Sequence, residues 1–138
     1  MAEPRGAEAE VRAAAAALVE AFAAHDTVAY FACFAPEASF VFYTAPERLP
    51  DRAAYERLWA QWEQEDGFHV HGCTSSAADV VVIGDAAVFV HDVDTDVELG
   101  GTRETVHERE TIVFERRAGQ WIAVHEHLSP RPDEEGDS

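Results

Sequence analysis

Hydrophobic positions change their spacing along this chain, and each change marks an element. Val11, Ala15, Leu18 and Phe22 recur three or four apart among alanines, which predicts an amphipathic helix over 8–24. Asp26 is placed to cap a short second helix carrying Val28, Ala29, Tyr30 and Phe31, which ends before Pro36. The β-branched and aromatic run over 38–43 reads as a strand. Pro46 and Pro50 bracket a loop, and Asp51 caps a third helix reaching about Gln64, with Tyr55, Leu58, Trp59 and Trp62 on one side. After Gly67 the texture turns to strands, near 68–77, 80–83 with 86–97, 104–117 and 120–128. Gly84-Asp85 and Ala118-Gly119 supply hairpin turns.

Helices come first and antiparallel strands later, so the fold class is α+β and not a βαβ repeat. A curved sheet with three helices laid across it makes a cone with an open mouth, and the hollow is the natural ligand site. The 138 residues fit one domain, assigned to 8–130, with 1–7 and 131–138 read as flexible termini.

Composition narrows the partners. The formal net charge is -17; all ten cations are arginines and lysine is absent. Such a surface repels phosphate backbones, which argues against nucleic acid and favours neutral or cationic ligands. No stretch approaches the roughly 20 apolar residues of a membrane span, and the N-terminus has no apolar signal segment, so no membrane partner and a cytoplasmic location are expected. Cys33 and Cys73 stand 40 positions apart, outside any Cys-x-x-Cys pair, and read as reduced thiols. No Gly-x-Ser-x-Gly elbow and no Gly-rich phosphate loop occurs, and no cofactor is called for.

Strand alternation sorts the last hairpin. Ile122, Val124, Glu126 and Leu128 share one face; Trp121, Ala123, His125, His127 and Ser129 share the other. Val106, Glu108, Glu110, Ile112 and Phe114 share a face of the preceding strand. With the aliphatic sets toward the helices, Glu126 and Glu110 become carboxyl groups on apolar faces, where burial raises a pKa and suits a general acid or base. In the middle strand either His91 or Asp92 enters the hollow, and not both without a bulge. Tyr30 or His91 would partner Glu126. Phe40, Phe42, Trp59, Trp62, Ile112, Phe114 and Leu128 would form the apolar wall, or simply the core. Two His-x-His pairs, His69/His71 and His125/His127, have strand spacing that converges imidazoles on one metal; a subunit interface is the competing reading.

The segment 110–129, ending in Trp121-x-x-x-His125-x-His127-x-Ser129, resembles the closing hairpin of SnoaL-like domains of the nuclear transport factor 2-like superfamily. It is especially similar to the association domain of calcium/calmodulin-dependent protein kinase II. Leu18-Val19-Glu20-Ala21-Phe22 with His25-Asp26 and Tyr30, and Arg57-Leu58-Trp59, resemble the helical part of the same domains. The resemblance implies a cone fold, a homodimer or larger ring built through the sheet, and a pocket. Members include isomerases, cyclases, dehydratases and proteins without catalysis. Tyr30 matches a pocket tyrosine of the association domain, but Ile112 and Leu128 stand where that domain has anion-binding arginines. After Phe34-Ala35-Pro36-Glu37-Ala38, Phe42 stands where ketosteroid isomerases carry their catalytic aspartate. Two functions follow as expectations: a small-molecule enzyme using Glu126, or a non-catalytic binding and assembly module.

Overall fold

The structure, a computed structural model, describes residues 4–132, and its second and third helices begin where the sequence supplies caps. Helix α1 spans Pro4–Ala23, α2 spans Thr27–Ala32 and α3 spans Arg52–Asp66. The Asp26 carboxyl accepts the Ala29 amide at 3.1 Å, and Asp51 accepts the Ala54 amide at 2.9 Å. Each thereby satisfies a donor that the first helical turn leaves free. Gly67 ends α3 in the left-handed region, at φ 62°. Residues 4–7 are helical, and Arg131 is tied to Asp94 at 2.8 Å. Residues 1–3 and 133–138, read above as parts of the flexible termini, lie outside the described residues.

Five strands form one sheet: β1 (Phe34–Phe42), β2 (His69–Ile83), β3 (Ala86–Leu99), β4 (Thr102–Arg117) and β5 (Gln120–Pro130). Their order is β1-β5-β4-β3-β2, antiparallel except where β1 runs parallel to β5. The segments expected near 68–77 and 80–83 are one strand, bent by an irregularity between Ser76 and Asp79 where Ala77 takes a positive φ of 52°. A third hairpin turn, Gly100-Gly101 at φ 59° and 80°, joins β3 to β4; two successive left-handed residues suit the twist of the ribbon.

Helix α1 lies mainly across β2, and α3 packs on β1. Val11, Ala15 and Leu18 of α1 meet Ala87, Phe89, Ile112 and Phe114 of the sheet in one buried core. Tyr30, Phe31, Phe34, Phe40, Tyr55 and Trp59 add an aromatic cluster to it. His25 locks the α1–α2 corner. Its Nδ1 accepts the Val70 amide at 2.9 Å while Nε2 lies 2.7 Å from Glu63.

One correction concerns β5. Val113 pairs with His125 but Phe114 pairs with Ala123, so Val124 is an extra, bulged residue. Side chains on the two sides of the bulge therefore follow opposite parities. Ala123 is fully buried and Trp121 packs on the core, both on the face assigned outward from sequence. Ile122 and Val124, assigned inward, are only half-buried, whereas Glu126 is buried and pairs with the inner residue Ile112.

Candidate functional site

Between α1, α3 and the inner face of the sheet lies a cavity of about 360 Å³. Strand β3 sends Phe89, His91, Val93, Thr95 and Val97 to the buried side. Asp92, Asp94 and Asp96 go to the outer side, where Arg109 and Arg103 form exposed ion pairs with Asp92 and Asp96 and the His107 ring lies 2.6 Å from Asp94. The pleat thus resolves the choice between His91 and Asp92: the imidazole points in. In β4 the same alternation brings Glu108, Glu110, Ile112 and Phe114 inward.

The polar groups form a chain through the fold. Ser75 Oγ lies 2.5 Å from His91 Nδ1, and His91 Nε2 lies 2.7 Å from Glu110 Oε1. Glu110 in turn interacts with Glu126, Glu126 with Tyr30, and the Tyr30 hydroxyl lies 2.9 Å from that of Tyr55. Glu110 and Glu126 are 8% and 3% exposed, so neither is solvated as an ordinary surface acid.

Two buried carboxyls in contact cannot both ionise, because like charges at this range repel strongly in a medium of low dielectric constant. The surroundings break the tie. Oε1 of Glu126 is buried and has no hydrogen-bond partner. A charge on that group would leave a bare anionic oxygen, a heavy penalty. Burial, followed by the neighbouring Glu110 charge, pushes the Glu126 carboxyl well above the usual range. Burial also acts to raise Glu110, but hydrogen bonds from Glu126 and His91 outweigh it and hold that carboxyl below its ordinary value. The pair keeps one proton, carried by Glu126. An ionised Glu110 needs donors, and the His91 ring, held between Ser75 and Glu110, is placed to give one from Nε2.

A third acid stands beside them. Glu108 is 7% exposed and accepts from the Tyr43 hydroxyl at 2.6 Å. Burial raises its carboxyl, and that hydrogen bond restrains the rise. Burial also raises Tyr30 and Tyr55, with Glu126 adding to both, so the two phenols stay protonated donors.

The candidate residues divide as follows. Glu126, Glu110, Tyr30, Phe42, Trp62 and Leu128 line the cavity. Phe40, Trp59, Ile112 and Phe114, expected as wall, do not reach it; all are at most 1% exposed and belong to the packed core. His91 sits behind the wall, touching Glu110 rather than the cavity. Tyr43, Tyr55, Glu108 and the rim acids Asp66 and Glu104 line it without having been singled out. Glu108 shares the parity of Glu110, so the signal that finds one finds the other. Tyr43 and Tyr55 needed the packing of β1 and α3.

The His-x-His pairs do not build a metal centre. His125 bonds Ser39 at 2.8 Å on the outer face, and His71 pairs with Glu98 at 2.9 Å. His69 stacks on His25 with centroids 4.4 Å apart. Among the described residues no group of three or more His, Cys, Asp or Glu is arranged to hold a metal ion. No described helix is long and apolar enough to cross a membrane.

Residues 11–133 match the SnoaL-like domain. No curated protein matches the chain. Solved structures share the fold at low identity. A candidate dehydratase of the nuclear transport factor 2-like family from Streptomyces avermitilis is 21% identical, with a TM-score of 0.75 over 95% of this chain and 100% of that one. A ketosteroid isomerase-like protein from Erwinia carotovora atroseptica is 17% identical, with a TM-score of 0.75 over 91% and 97%. The association domain of C. elegans calcium/calmodulin-dependent protein kinase II is 19% identical, with a TM-score of 0.71 over 91% and 97%.

Proposed function

Because the chain belongs to the SnoaL-like domain family, we propose that it is a small-molecule enzyme whose Glu110–Glu126 pair performs acid–base chemistry of the isomerase, cyclase or dehydratase kind. The observation that carries this reading is two buried carboxyls in contact on a cavity wall, one with an unbonded oxygen. Such a pair supplies both halves of a proton transfer. Glu110, ionised, takes a proton from carbon. Glu126, protonated, delivers its own to a developing oxyanion or a departing hydroxyl, with the Tyr30 hydroxyl as a further donor. The apolar wall around Phe22, Phe42 and Leu128 lowers the local dielectric and strengthens each step. The substrate is an apolar body with neutral or cationic polar groups, since among the lining residues none is Arg, Lys or His.

The test has two parts. Infrared difference spectra should show a protonated carboxyl at neutral pH that disappears in Glu126→Gln. Deuterium incorporation into a panel of neutral and amine-bearing β-hydroxyketones should be lost in Glu126→Gln and Glu110→Gln, with both variants still folded by circular dichroism. A wild-type spectrum without a protonated carboxyl, or exchange that survives Glu126→Gln, refutes the mechanism.

A second reading is a non-catalytic assembly module, as the names of the fold neighbours allow. One observation favours it: Val81 and Ile83, 57% and 64% exposed, stand on the outer side of edge strand β2. A homodimer or larger ring through the sheet would appear in light scattering as a multiple of 15.2 kDa.

A further inference from the structure

The cavity is acidic from rim to floor. Asp66 and Glu104 lie at its exposed edge, Glu108 is buried below them, and Glu110 with Glu126 closes the floor. No Arg, Lys or His is among the lining residues. The cations nearest in sequence, Arg103, Arg109 and Arg131, are engaged on the outer face with Asp96, Asp92 and Asp94. A buried carboxyl normally recruits an arginine or lysine when a fold has one to spare. Here three carboxyls are gathered without one, and the Oε1 atom of Glu126, in a residue 97% buried on this wall, lacks any hydrogen-bond partner.

The remaining surface is aromatic. Phe22, Phe42, Tyr43, Trp62 and Phe68 line the same space. Ring faces and carboxylates together are what an organic ammonium group selects: the rings attract the cation through their quadrupoles, and the carboxylates accept its N–H bonds. A bare metal ion needs several oxygens converging at short range, and the described residues offer no such cluster. A cavity of about 360 Å³ holds an organic molecule at the small end of the usual pocket range.

We infer that the natural ligand is a primary or secondary amine bound as its ammonium form, with an apolar or aromatic body of cavity size, anchored by Glu108 between the rim acids and the Glu110–Glu126 floor. This names the substrate class for the site proposed above, and it rests on that reading for the place of the reactive carboxyls. Tyr43 holds Glu108 in position from one side, leaving its other oxygen to meet the ammonium group. The excess negative charge of the chain raises the local concentration of such a ligand before it docks.

Calorimetric titration with three matched probes tests this: 2-phenylethylammonium, 2-phenylethanol and 3-phenylpropionate. The ammonium should bind at least tenfold more tightly than the alcohol, and the carboxylate should not bind. Glu108→Gln should weaken the ammonium at least tenfold while leaving the alcohol within twofold. Should that variant fold poorly, Glu104→Gln at the exposed rim should weaken the ammonium alone and steepen nothing in the alcohol titration. Equal or tighter binding of the alcohol or the carboxylate overturns the inference. Ammonium selectivity in a protein that lacks the protonated-carboxyl band overturns the acid–base mechanism instead and leaves the ligand class standing. The band without ammonium selectivity does the reverse.

Discussion

Replacing Glu126 by Gln should make the protein more stable at high pH, with a dependence fixed by the proton that the pair retains. In the unfolded chain both carboxyls ionise near pH 4.3, their ordinary value. In the folded protein the pair binds one proton above that pH, because burial and the Glu110 charge raise Glu126. The native state therefore holds one more proton than the unfolded state. Stability then falls with rising pH, by about 1.4 kcal/mol per unit for one proton. The loss begins near the unfolded value and continues until the folded pair releases its proton. Glu110 acts in the opposite sense: its lowered value costs stability only as pH falls through and below the ordinary carboxylate range, outside this window. In Glu126→Gln the amide donates to Glu110 in place of the acid proton, and position 126 no longer titrates. Urea unfolding at pH 5, 6 and 7 measures both proteins. Glu108, also raised by burial, contributes the same slope to each and cancels in the difference. The difference between variant and wild type should therefore grow with pH in favour of the variant, by up to about 1.4 kcal/mol per unit for as long as the folded pair keeps its proton. A difference that stays flat from pH 5 to 7 would show that the pair holds no extra proton.

Other consequences are independent of that proton. His91→Leu removes the imidazole donor to a buried anion, and loss of one member of a buried pair should cost about 3 kcal/mol in chemical denaturation. Trp59→Ala hollows the aromatic cluster at a residue 1% exposed, and should cost about 4 kcal/mol by the same assay. Burial pushes the Cys73 thiol up to about 11 and also raises Cys33, so both should react slowly with iodoacetamide at pH 8 until the protein is unfolded.

Most of the fold is legible because local signals agree with it. Asp26 and Asp51 are caps in sequence and in space, and the period of Val11, Ala15 and Leu18 is the buried stripe of α1. Gly100-Gly101 marks the third hairpin turn only weakly in the sequence, because the aspartate run before it blurs the end of β3. The bulge at Val124 is a different case. Both Ile122 and Val124 are good inward residues, and no local propensity says that the chain skips there; only the pairing of Phe114 with Ala123 reveals it. The wall was harder still. Phe40 and Phe42 share a face of β1, and depth within the cone alone decides that Phe42 touches the cavity while Phe40 packs against Phe34 and Tyr55.

The bulge also brings the two buried acids together. Without the extra residue, one parity would run the length of β5, and Ala123 and Glu126 would fall on opposite faces. The closely packed end of the cone requires a small residue opposite Phe114, and Ala123 fills that place with no exposure. The open end requires an acid opposite Ile112 and beside Glu110, and Glu126 fills that one. A regular strand carrying this sequence could meet only one of these demands: burying Ala123 would turn Glu126 to solvent beside the arginines of the outer face. One inserted residue meets both, bringing a carboxyl into contact with another that His91 and Ser75 already stabilise as an anion. Within the sheet, then, the proton-sharing pair is created by backbone register, and substitutions that erase the bulge should disable it as completely as removal of either acid.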